Sequence, residues 1–138
     1  NATLGYKLGE VLSGTGEVNR GIFKVKEGKV IEVKEFLGVS EKNLKSKGLS
    51  ENDLCSMTMW AFQPDVLELL NEKLIAFKEK HKGDRKIECL LPNEINSLIG
   101  ENKISIKLYP TSEKWLGITN PEDEAIVREE IRKIEEEI

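Results

Sequence analysis

Two runs, Gly21-Ile-Phe-Lys-Val-Lys26 and Lys29-Val-Ile-Glu-Val-Lys-Glu35, alternate apolar and polar residues with a period near two. Only Glu27-Gly28 separates them. This spacing predicts a β-hairpin, with Gly28 supplying the positive φ that a tight turn needs. A hairpin with one apolar face needs further structure to cover it, so the rest of the chain is read around it. Upstream, Thr3 to Gly16 is weakly patterned, and Gly14-Thr-Gly-Glu-Val-Asn-Arg-Gly21 is glycine-rich. Its spacing fits neither G-x-G-x-x-G nor G-x-x-x-x-G-K-[ST]. A strand follows it, so no helix N-terminus would receive a phosphate. It reads as a loop leading into the hairpin.

Gly38 to Asp53 is polar, with Ser, Lys, Asn and Gly throughout, and reads as a mobile excursion holding one short helix. Lys42, Lys45 and Lys47 form a solvated face there, with contact to an anionic substrate as the alternative. Leu54-Cys-Ser-Met-Thr-Met-Trp-Ala-Phe62 is a mainly apolar run of strand length, which suits a strand buried on both faces. In it, Met57, Met59 and Trp60 read as core. Gln63-Pro-Asp65 then starts a helix to about Lys80, with Val66, Leu70, Leu74 and Phe77 as its apolar stripe. Pro92 to Gly100 is a short helix ended by Gly100. Lys103 to Tyr109 reads as a strand that runs towards Lys114-Trp-Leu-Gly-Ile-Thr-Asn-Pro-Glu-Asp-Glu124. Beyond it Asn120 suits an N-cap and Pro121 the first turn of a last helix, to about Glu137. That helix carries Val127, Ile131, Ile134 and Ile138 on one stripe. The fold class is α/β, a mixed sheet with flanking helices.

A length of 138 residues predicts one domain with a real core. The net charge of −4 and pI near 5.2 argue against a nucleic-acid or anionic-membrane partner. No apolar run approaches a membrane span, and Lys7 and Glu10 interrupt any signal-peptide pattern, so a cytoplasmic setting is expected. Asn1-Ala2 reads as the remnant of a cleaved tag, leaving residues 3–138 as the domain. Cys55 and Cys89 lack C-x-x-C spacing and read as two buried thiols, with a disulfide as the alternative. The single histidine, His81, stands at the polar end of a helix and reads as solvated surface. One His and no Cys pair argue against a zinc site.

Several of these segments resemble the sugar-nucleotide nucleotidyltransferase superfamily. Cys55-Ser-Met-Thr-Met-Trp-Ala-Phe-Gln-Pro-Asp-Val-Leu-Glu-Leu-Leu70 is similar to V-N-x-G-I-Y-x-F-x-P-E-V-L-E-L-L. The hairpin is similar to a G-x-V-x-x-D-x-x-G-x-V-x-x-x-x-E-K-P segment, and Trp115-Leu-Gly-Ile-Thr-Asn-Pro-Glu-Asp123 resembles W-x-D-I-D-T-P-E-D. The matches run in order from Gly21 to about Lys133. By resemblance, Gly21 packs close to a bound nucleotide-sugar and Glu35 binds sugar hydroxyls, with a solvated strand-end carboxylate as the alternative for Glu35. Ser56 and Thr58 stand where the family's Asn and Gly contact the sugar. The Lys expected after Glu35 is replaced by Phe36 and Leu37. Gly117 and Thr119 replace two aspartates, the second of which helps to hold magnesium in the family.

The resemblance implies a partial nucleotidyltransferase (Rossmann-like) fold lacking the N-terminal nucleotide-binding half, as an expressed fragment or a truncated chain. The parent would transfer a nucleotidyl group from a nucleoside triphosphate to a sugar phosphate or similar phosphorylated alcohol. Mg2+ is implied for that parent; no cofactor and no metal ligand are expected in this chain, which is expected to be inactive alone. The expected partner is a sugar phosphate or nucleotide-sugar. A missing half would leave a strand edge and apolar surface exposed, which predicts self-association; a homodimer would cover them. The alternative is a non-catalytic nucleotide-sugar-binding or regulatory domain.

Overall fold

In the computed structural model, residues 1–14, 16–118 and 121–137 are described. The hairpin is its spine. Strands β2 (Val18–Lys26) and β3 (Lys29–Val39) extend the predicted runs at their open ends, and meet at Glu27 (φ 52°) and Gly28 (φ 74°). Two successive left-handed residues turn the chain with the right-handed twist of the strands. Strand β1 (Ala2–Lys7) comes from a segment in which no strand is predicted. Asn1 and Ala2, left outside the domain by the sequence reading, belong to the sheet. Ala2 pairs with Ala61 and Lys107, and the Asn1 carbonyl accepts the Lys107 N–H at 3.0 Å.

The run expected to form one buried strand is two short ones, β4 (Leu54–Ser56) and β5 (Trp60–Ala61). Both pair antiparallel with β1. Tyr6 faces Cys55, so an unbroken ladder would set Thr3 opposite Thr58; Thr3 instead faces Trp60. Two extra residues are therefore looped out, and Thr58 takes φ 59° to do so. Met59 lies 55% exposed rather than in the core, while Met57 and Trp60 are half-buried.

Helix α1 (Pro64–Lys80) starts as expected, but of its predicted stripe only Val66 is fully buried. His81 caps this helix, half-buried, with its ring 4.5 Å from that of Phe77, rather than being free surface. Helix α2 (Leu91–Gly100) ends at Gly100 as expected, but Gly100 is not the left-handed residue that closes it. Asn102 is its left-handed residue (φ 57°), and Asn102 and Lys103 donate to the Ile99 and Leu98 carbonyls. Ile104 and Ile106 are buried, yet β6 (Lys107–Thr111) begins only at Lys107. Helix α3 (Asp123–Glu137) begins two residues after Pro121. Asn120, Thr119 and Ile138, on which an N-cap, a metal position and the end of a stripe were read, lie outside the described residues.

The neighbours in the six-stranded mixed sheet run β4-β2-β3-β6-β1-β5, with β4 also paired to β1, so the sheet curls back on itself. β1 and β6 are parallel and the other pairs antiparallel. Alternation along the strands feeds two cores on opposite faces. Phe23, Val33, Ile106 and Leu108 pack with Val66, Ile95 and Leu98 of α1 and α2. Tyr6, Val11 and Cys55 pack with Val39, Leu44 and Leu49. The polar excursion thus has an apolar anchor. Its one short helix is a 3-10 turn, Lys45–Lys47, and Asn43 fastens it by donating to Gly38 O (2.8 Å) and accepting from Ser40 N (2.9 Å). Among the described residues no helix is long and apolar enough to cross a membrane.

Candidate functional site

Gly21 pairs with Glu35 on one side and Ser56 on the other, across three adjacent strands. Period-two alternation puts all three on the sheet face that carries Phe23 and Val33, one step beyond the core under α1 and α2. There they line a cleft of about 220 Å³ with Arg20, Thr58 and Trp115; Pro92, at the start of α2, closes one side. All four residues singled out as sugar contacts are therefore in one cleft. Lys42, Lys45 and Lys47 do not line it; the Lys47 Nζ donates to Leu37 O at 2.9 Å.

Gly21 keeps the floor open. A Cβ there would sit 3.2 Å from Val33 Cγ1 and 3.3 Å from Glu35 Oε2, tight contacts that would push both side chains. Glu35 is exposed at the rim, and partial burial raises its carboxyl pKa against the opposing pull of Arg20. Ser56 Oγ accepts the Thr58 N–H at 3.1 Å, which holds the looped-out backbone and leaves the hydroxyl hydrogen for a ligand. Thr58 projects a branched side chain from left-handed backbone, where a residue without Cβ is at ease.

The sequence reading did not single out Arg20 and Trp115 as site residues. The Arg20 guanidinium lies 5.6 Å from the centre of the Trp115 ring. It donates to Val11 O at 2.7 Å and to Asn19 O at 2.9 Å. Burial lowers its pKa, with Cys55 and Glu35 acting the other way. The signal was adjacency alone: Arg20 precedes Gly21. At Gly117, a Cβ would sit 2.0 Å from the Trp115 ring, so this position is closed to side chains while the indole stays there.

Cys55 is fully buried and its thiol is pushed up to about 11 by burial, against Arg20, so it is a packing residue and not a nucleophile. Cys89 is only half-buried, and both thiols are free. Among the described residues no three His, Cys, Asp or Glu side chains are grouped to hold a metal ion. Chemically, the cleft offers a carboxylate, a hydroxyl, open backbone and a cation, which suits recognition of a polyol. Compared with models of known protein families the chain matches none, and no curated protein matches it.

Proposed function

We propose that this chain is the sugar-side portion of a nucleotidyltransferase-like protein, and that its cleft holds the sugar of a sugar phosphate or nucleotide-sugar. One observation carries the reading. Gly21 and Glu35 come from one segment that resembles the superfamily and Ser56 from another, and the three lie side by side on one face. Their chemistry fits the role: a carboxylate accepts from two vicinal hydroxyls, a serine hydroxyl adds a third contact, and glycine lets the ring approach the backbone. The left-handed backbone at Thr58, where the resembled motif has Gly, also supports it.

The parent protein transfers a nucleotidyl group from a nucleoside triphosphate to a phosphorylated sugar or alcohol, in the cytoplasm. Residues that hold the triphosphate and magnesium belong to the rest of that parent, so this chain alone binds without turnover. A second reading, a non-catalytic nucleotide-sugar-binding or regulatory domain, draws on Thr58, whose side chain narrows the cleft.

Calorimetric titration with hexose phosphates and nucleotide-sugars tests the proposal. A charged hydrogen bond is worth about 1.5–3 kcal/mol, so Glu35→Ala is expected to weaken binding by about tenfold or more. Unchanged affinity would remove Glu35 from the site and the reading with it.

A further inference from the structure

Arg20 is half-buried and forms no ion pair among the described residues. Two of its nitrogens donate to backbone carbonyls, and its Nε is buried without a hydrogen-bond partner among the described residues. A half-buried cation with an orphaned donor carries a desolvation cost, which the two carbonyls, the Trp115 ring and the unpaired Glu35 offset only in part. Glu35 is near enough to act on Arg20 electrostatically but not to pair with it. The two line the same cleft from adjacent strands, β2 and β3, and Ser56 lines it from β4, on the other side of β2.

We propose that Arg20 is the anion-recognising residue of this cleft, which takes a polyol bearing an anionic group, phosphoryl or carboxylate. Glu35 and Ser56 hold the hydroxyls, and Arg20 receives the anion. The guanidinium is suited to this because its planar donors match the oxygens of either group, and because Trp115 and the Val11 carbonyl hold its orientation in advance. The lysine expected from the resemblance after Glu35 is absent, and among the described residues that line this cleft Arg20 is the one cation. This inference rests on the sugar-site reading above.

The test is a comparison of glucose, glucose 1-phosphate and glucuronate as probes, by calorimetry or nuclear magnetic resonance. Wild type is expected to prefer at least one anionic probe over glucose by about tenfold or more. In Arg20→Gln this preference should collapse towards one, with glucose affinity kept. The phosphate and the carboxylate arms show which anion the site takes. In wild type, the Arg20 15Nε–1H resonance should move on adding the preferred probe and stay with glucose; this readout needs no variant. Equal affinity of wild type for all three probes, a preference that survives in Arg20→Gln, or an unmoved Nε–H resonance overturns the role of Arg20 and leaves the Glu35 reading standing. No binding of any probe overturns both.

Discussion

Thr58 carries a β-branched side chain at φ 59°, a conformation in which its Cβ crowds the following carbonyl. The cost is about 1–2 kcal/mol for an L-residue. Glycine there relieves it, at an unfolded-chain entropy cost of about 0.5–1 kcal/mol. Thr58→Gly is therefore expected to stabilise the fold by up to about 1 kcal/mol, seen as a rise of a few degrees in Tm. A lower Tm would show that the Thr58 side chain makes contacts that outweigh its backbone strain. Such strain is held where the surroundings over-determine the backbone. Here the Ser56 hydroxyl and the β1 ladder do so, and the strained residue faces the cleft.

Among the elements, α2 does more than cover the sheet. Past Val30, strand β3 separates from β6, whose ladder with it is confined to Lys29 and Lys107. The backbone of Val33 would then have an open edge inside the core. Asn96 fills it, accepting the Val33 N–H at 2.7 Å and donating to the Val33 carbonyl at 2.5 Å. Asn96→Ala leaves both groups unpaired and is expected to cost about 2–4 kcal/mol, with faster amide exchange at Val33. An unchanged denaturation midpoint would show that water replaces the amide.

The other end of α2 is tied to α1. Glu101 accepts from Lys73 and from Ser97 (2.8 Å) and pairs with Lys103 at 3.2 Å. Hydrogen bonds from Lys73, then Ser97 and Lys103, lower the Glu101 pKa to about 2. A lowered carboxyl stabilises above its unfolded value, near 4.5, and that contribution is lost as pH falls through about 2. The Tm difference between wild type and Glu101→Gln should therefore close between about pH 4.5 and 2. A difference that stays constant across that range would show that the clamp adds nothing.

For the whole molecule, the apolar faces of two helices are the open question that assembly answers. Leu67 and Ile75 on α1 are 63% and 55% exposed, and Ile126 on α3 is 57% exposed. Each helix has the apolar period of a packed one but only part of the cover. Single exposed apolar residues are ordinary; rows of them on amphipathic helices are not. The chain is expected to self-associate as its concentration rises, by light scattering or sedimentation. A strict monomer at high concentration would show that these faces tolerate water.

By itself the sequence determined what depends on neighbours along the chain. The hairpin and its Glu27-Gly28 turn, the proline-led starts of α1 and α2, and the α/β alternation follow from periodicity and from the φ limits of Gly and Pro. Resemblance in separate segments picked Gly21, Glu35, Ser56 and Thr58, and the hairpin register makes two of them face each other. What only the tertiary structure decided depends on partners far away in sequence. Strand β1 has no strong local signal and exists because β4, β5 and β6 pair with it. Its register forces two residues out of the apolar run and thereby bends Thr58 into the cleft. Asn96 is an ordinary helical residue until β3 leaves an edge beside it, and Arg20 is an ordinary strand cation until Trp115 arrives from nearly a hundred residues away. Local rules carry no information about which distant backbone a side chain will meet, because that is fixed by the closure of the sheet as a whole.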